Sequence, residues 1–181
     1  SDDPATSIRE KRDASISVAA RLVKSGDADC VVSAGSTGAA LAPAEFMLGR
    51  LPGVSRPAIA TDFPSGSVVL DMGANLSCRP ADLAQFAVMG AALARTHYGM
   101  EQPTVALLNI GEEAGKGRAL EREAYKLLEA LPHIDFIGNI EGREIIRGGC
   151  DVLVCDGFNG NLILKFYESV AEFIIGILRQ E

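Results

Sequence analysis

LVCDGFNGNLILK, Leu153 to Lys165, opens as a buried strand and closes as an apolar helix. Between the two stand Asp156, Gly157, Asn159, Gly160 and Asn161, residues that favour turns and avoid a packed interior. A strand can reach a helix through far plainer sequence, so these turn residues ask for a role. The same grammar recurs when the reading moves outward from this stretch. DFIGNI (135–140) leads through Glu141 and Gly142 into a short helix, and DVLVCD (151–156) leads into the last one. TVALLNI (104–110) is a near-continuous apolar run with GEEAGKG as its loop, followed by a helix from Arg118 to Leu131.

PAIATD (57–62) and SVVLD (67–71) are short strands joined by a Pro-Gly turn, the pattern of a hairpin. MGANLSC follows, and Pro80 stands where a helix starts, running to about Tyr98. Nearer the beginning, ADCVVS (28–33) reads as a first strand, with AGSTG and a helix to about Gly49 behind it. Ser7 to Lys24 carries helical apolar spacing, and Gly26 ends it. Strands apolar on both faces that alternate with helices form a largely parallel sheet covered on each side. The expected fold is therefore a three-layer αβα sandwich with a mostly parallel mixed sheet. One domain over residues 1–181 is expected.

Composition bounds the function. The 181 residues are 48% hydrophobic and 23% charged, as in an ordinary globular domain. A net charge of -7 argues against a nucleic-acid partner, because no broad basic surface is available. No apolar run reaches membrane-spanning length. The chain starts at Ser1 without a Met and stops abruptly at Arg179-Gln180-Glu181, which reads as the central part of a longer protein. The four cysteines, at 30, 78, 150 and 155, read as buried reduced thiols rather than disulfides. His97 and His133 have no ligand-spaced neighbours, so no metal site is expected and no cofactor is implied.

Five predicted strands end on Gly-bearing polar loops: VVS-AGSTG, VLD-MGAN, LNI-GEEAGKG, GNI-EG and VCD-GFNGN. In a parallel sheet all five ends open on one rim, where open α/β sheets bind ligands. The helices that follow aim free N–H groups at that rim, which suits an anion such as phosphate. Gly35, Ser36, Thr37, Gly38, Gly73, Asn75, Gly157 and Gly160 are the candidate phosphate-binding residues, with Lys116 and Asn161 beside them. The plain alternative is that any α/β protein needs polar turns, and that Lys116 is a solvated loop lysine. GEEAGKG is one residue short of P-loop spacing and has Gly117 where magnesium needs Ser or Thr; no GxGxxG follows the first strand. Neither nucleotide motif is present.

VSAGSTGA, LDMGANLSCRP, LLNIGEEAGKG, GNIEGRE and VCDGFNGN, in that order and spacing, resemble the bacterial phosphate acyltransferase family of phospholipid synthesis (PlsX). The resemblance covers essentially the whole chain, while family members are longer at both ends. It implies transfer of a fatty acyl group from acyl carrier protein to inorganic phosphate, giving acyl phosphate. It also implies a fold of the isocitrate/isopropylmalate dehydrogenase-like group, a homodimer, and a cytoplasmic location. By the same resemblance Lys116 and Asn161 are the catalytic residues. A coenzyme A-dependent phosphate acyltransferase, a dehydrogenase of the same fold group and a small-molecule anion sensor are the other readings.

Two surfaces complete the expectation. Arg118, Arg122 and Lys126 recur every four residues on one helix face and could dock the acidic carrier protein, or form an ordinary solvated face with Glu121, Glu123 and Glu129. The apolar helix Leu162 to Leu178 suits a core or subunit interface, with a peripheral membrane contact through Phe173, Ile174, Ile175, Ile177 and Leu178 as the alternative.

Overall fold

The computed structural model describes residues 13–179, and the chain divides between Pro57 and Ala58 into two compact units. In the first unit, helix α1 (Ser15–Ser25) buries Ser17 and Ala20. Gly26, at φ 83°, closes it by donating to the carbonyls of Leu22 and Val23. The expected helical residues 7–12 lie outside the described residues. Helix α2 (Thr37–Pro43) continues directly into a π-helical turn, Ala44–Leu48, which Gly49 ends at φ 85°.

Residues 28–33 are not a strand, which corrects the expectation for ADCVVS. The segment is largely solvent-facing, with Val32 93% exposed. β-branched residues favour extended backbone, but a strand also needs a neighbour to take its N–H and C=O groups. Among the described residues no ladder partner pairs with it.

The second unit holds a five-stranded sheet. Its strands are β1 (Ala60–Asp62), β2 (Val68–Leu70), β3 (Thr104–Leu108), β4 (Asp135–Ile140) and β5 (Val152–Val154), in the order β1-β2-β5-β3-β4. β1 and β2 form the expected antiparallel hairpin, and β2, β5, β3 and β4 run parallel. The helices are α3 (Pro80–Tyr98), α4 (Ala119–Glu129), α5 (Gly142–Arg147) and α6 (Gly157–Leu178).

Period-two alternation splits the core into two layers. Leu70, Val105, Leu107, Val152 and Val154 face α3 and α4, packing on Leu83, Phe86, Ala87 and Leu128. Val69, Ala106 and Leu153 face the other way, against Ile145 of α5 and Ile163 and Tyr167 of α6. Unit two is thus the three-layer mixed α/β sandwich that the alternation predicts. α3 lies close to its sheet at Gly90, where a Cβ would stand 2.5 Å from Val152 Cγ1. β3 and β4 slip register between Val105 and Ala106, next to Gly138 at φ 99°.

Both long helices on the first face begin with the same device. Arg79 N donates to Asp82 Oδ2 at 2.8 Å, and Arg118 N donates to Glu121 Oε2 at 2.8 Å. In each case a buried acid one turn in reaches back to the residue before the helix and satisfies an orphan N–H.

Candidate active site

β5, the last strand in sequence, lies between β2 and β3, so the loops leaving these three strands are neighbours at one end of the sheet. They carry Gly73 and Asn75, Asn161, and Lys116 respectively. The first loop is built around the fully buried carboxylate of Asp71. Its Oδ1 accepts from Ile59 N (3.0 Å) and Ala74 N (3.1 Å); its Oδ2 accepts from Asn75 N (2.6 Å) and Asn75 Nδ2 (2.9 Å). Four N–H donors satisfy a buried carboxylate and fold the loop around it. Asn75 is therefore turned inward.

The loop after β5 is fastened to the first. Gly157 N donates to Asn75 O at 2.9 Å. Asp156, buried, caps α6 by accepting from Asn159 N at 2.8 Å and from Asn159 Nδ2 at 3.0 Å. A Cβ on Gly157 would stand 2.6 Å from Asn75 O, and one on Gly160 would stand 1.9 Å from Asp71 O. These two glycines let the start of α6 abut the Asp71 loop, so protein backbone fills the space in front of them. Asn161 lies one turn into the helix and packs on Gly73, whose added Cβ would meet Asn161 Oδ1 at 3.4 Å. Asn161 is exposed, and its amide makes no hydrogen bond with any described residue.

The loop after β3 is held from within. Asn109 donates to Lys116 O at 3.1 Å, and Asn139 at the end of β4 donates to Glu113 O at 2.9 Å. Gly117, at φ 87°, fits against Asn109, where a Cβ would stand 2.5 Å from Oδ1; only glycine suits both the turn and the space. The Lys116 side chain is 51% exposed, with Glu113 Oε2 3.8 Å from its ammonium. Next to it, Arg118 binds Glu121 and reaches across to Asp156 Oδ2 at 2.6 Å. Burial raises the Glu121 carboxyl, but its hydrogen bond from Arg118 and the charge beside it outweigh that and leave it lowered. A crevice of about 550 Å³ opens here, lined by Leu108, Asn109, Ile110, Arg118, Asn159 and Ile163.

The rim thus brings Gly73 against Asn161, bonds Asn75 to Gly157, and ties the Lys116 loop to the cap of α6. Gly35, Ser36, Thr37 and Gly38 belong to the first unit. There Gly35 N donates to Ser33 Oγ at 3.1 Å, and the Ser36 hydroxyl accepts from Ala39 N at 3.4 Å as the cap of α2. Of the basic stripe, Arg118 is engaged by two carboxylates, while Arg122 donates to Gly117 O at 2.7 Å. Arg122 and Lys126 line a second hollow, of about 500 Å³, together with Glu123 and Glu129.

The structural roles of Asp71, Asp156 and Arg118 escaped the sequence reading. Arg118-x-x-Glu121 and Asp156-x-x-Asn159 are legible as caps, but the Arg118–Asp156 bond spans 38 residues and needs the β3–β5 adjacency.

Chemically, the described residues of the rim offer an exposed cation and an exposed amide. Burial pushes the Cys78 thiol up to about 11 and the Cys150 thiol up to about 12, and raises Cys155 further. None of these three supplies a thiolate near neutral pH. Asp71 and Asp156, the carboxylates a metal-dependent dehydrogenase would use, already serve as acceptors inside the loops. Such a rim suits an anion that is itself the nucleophile, or the oxyanion it generates.

A family model described as "Fatty acid synthesis protein" matches residues 1–181. The phosphate acyltransferase of Acaryochloris marina is 53% identical over 99% of this chain and 54% of its own length. That of Syntrophomonas wolfei is 50% identical over 98% of this chain and 57% of its own. The chain spans about half the length of the curated relatives it matches. In fold it is similar to the EutD phosphotransacetylase of Staphylococcus aureus, with a TM-score of 0.62 at 22% identity over 93% of this chain and 63% of that one.

Proposed function

The chain belongs to the bacterial phosphate acyltransferase family, and from that membership we propose that it transfers a fatty acyl group from acyl carrier protein to inorganic phosphate. The product is acyl phosphate, destined for phosphatidic acid in phospholipid synthesis. A phosphate oxygen attacks the thioester carbonyl, a C–O bond forms, and the carbonyl oxygen takes the negative charge. Collapse of that intermediate breaks the C–S bond, and the departing carrier thiolate takes up a proton. Phosphate is already an anionic nucleophile near neutral pH, so the protein must position it and stabilise charge. Lys116 supplies the positive charge for phosphate or the leaving thiolate. Asn161 supplies an amide donor to the oxyanion or to a phosphate oxygen.

The observation that carries this reading is the unengaged amide of Asn161 against Gly73, on the helix that follows β5, the strand next to the β3 strand whose loop presents Lys116. Acyl carrier protein is the proposed donor, with Arg122 and Lys126 as the basic pair left to meet its acidic surface. The proposed assembly is a cytoplasmic homodimer. Phe158, Leu162, Phe166, Phe173 and Ile177 expose an apolar stripe along α6 that suits a subunit interface, with a peripheral membrane contact as the alternative. Among the described residues no helix is long and apolar enough to cross a membrane.

The test is to incubate the full-length protein with phosphate and either the acylated carrier or acyl-coenzyme A, trapping acyl phosphate as its hydroxamate. Product from the carrier thioester supports the proposal. Product from the coenzyme A thioester alone replaces the donor, and no product from either overturns the reading.

A further inference from the structure

The guanidinium of Arg118 touches the first turn of α4 and the cap of α6 at once. Its Nη2 donates to Asp156 Oδ2 at 2.6 Å, and its Nε donates to Glu121 Oε1 at 3.0 Å. Glu121 also holds the Arg118 backbone N–H, so the residue is fixed by both its main chain and its side chain. At the other end, Asp156 is the cap of α6. The β3–β5 ladder has its last rung at Leu107 and Val154, and the two loops leave the sheet there. Among the described residues, the ion pair across these loops beyond that rung is Arg118 with Asp156. Lys116 stands two positions before Arg118, and Asn161 five positions after Asp156.

We infer that Arg118 is a positioning residue, and that its bond to Asp156 is a strut that sets the Lys116 loop against the helix turn bearing Asn161. A cation meant for a partner keeps its donors outward; Arg118 turns two edges of its fork onto carboxylates, and the Asp156 side chain is only 3% exposed. The planar fork serves both acids together, which a lysine ammonium on a flexible stem does not do in a fixed geometry. Glu121 aims the fork and Asp156 receives it. The expected kinetic effect rests on the acyl-transfer reading, whereas the strut is a property of the two loops.

Two variants isolate the strut in the full-length protein. Asp156→Asn keeps an equally good helix-capping acceptor and removes the charge that Arg118 pairs with. Arg118→Gln keeps a polar end and removes the fork; because the Arg118 side chain is 60% exposed, this variant carries the test if Asp156→Asn does not fold. Each single change is expected to lower kcat on the order of 10- to 100-fold, since a misplacement of about 1 Å costs that much. KM for phosphate and for the acyl donor should stay unchanged, and the double variant should be no slower than the slower single. Amide hydrogen exchange should quicken at both 110–117 and 157–161, whichever end is altered.

Wild-type kcat in the variants, or independent losses that multiply in the double variant, overturns the strut. So does a large rise in the phosphate KM confined to Arg118→Gln, which would make Arg118 a substrate contact. Exchange that quickens only in the mutated loop overturns it as well. If the wild-type protein transfers no acyl group, the functional reading fails by itself, and the exchange pattern still decides for or against the strut.

Discussion

The proposed catalytic pair, Lys116 and Asn161, is exposed at both members but held in different ways. Lys116 is a loop cation whose neighbours hold its backbone and leave its side chain half in solvent. Lys116→Ala should therefore leave stability within about 0.5 kcal/mol of wild type, as surface changes do. Acyl transfer should fall on the order of 100-fold or more, the loss seen when one charge-stabilising group leaves a site. Thermal melts and steady-state rates on the full-length variant check the pair of outcomes, and near-normal turnover removes Lys116 from the mechanism. Asn161 is an exposed helical residue with an unengaged amide. Asn161→Asp keeps its shape but turns a donor into a negative charge, so it should be slower than Asn161→Ala wherever an anion is bound. Equal rates for the two would leave Asn161 outside the anion site. Both residues are proposed from the family pattern in GKG and NGN. The staples that hold them, Asp71 and Asp156, were visible only as two acids in turns, because their donors are fixed by tertiary structure.

Elements with local signals were legible nearly to the residue. Pro80 and Gly99 bracket α3, and DFIGNI is β4 from end to end. The failure at 28–33 is of another kind: a strand is a relation between segments, and side-chain type cannot supply the partner. Glycine roles divide in the same way. Gly157 and Gly160 were read as ligand-facing, whereas the geometry sets them against the backbone of the Asp71 loop. This yields a comparison between two helical glycines. Gly160→Ala drives a Cβ into the Asp71 carbonyl, and backbone on both sides must shift; a cost of about 3 kcal/mol or more is expected. Gly90→Ala crowds the buried side chains of Val152 and Leu70 rather than backbone, so less must move, and it gains about 1 kcal/mol of helix propensity. Urea unfolding should rank Gly160→Ala well below Gly90→Ala, and the reverse order would mean that α6 can slide away from the loop.

Three of the four thiols lie in the second unit, Cys150 and Cys155 buried and Cys78 partly so; Cys30, in the first unit, is exposed, which corrects the expectation that all four are buried. Cys78 and Cys150 are raised to about 11 and about 12, above an unfolded value near 9. A raised value means that the folded state favours the protonated thiol. Its contribution is complete below pH about 9 and disappears as pH climbs through 11 to 12. Stability by urea midpoint should thus decline above pH about 9, with a slope approaching 1.4 kcal/mol per pH unit for each thiol as an upper bound. Cys150→Ala should flatten that decline. An unchanged slope would place the alkaline loss on other groups.

The strand order has a consequence in time. β2 and β3 are separated in the sheet until β5, made last of the five, inserts between them. The three site loops therefore cannot become neighbours as the nascent chain lengthens; they do so only in a late, non-local closure of high contact order. A ribosome-bound chain stopped before residue 152 would hold the Lys116 loop and the Gly73 loop without their shared neighbour. Assembly of the rim and completion of the core both depend on the docking of β5.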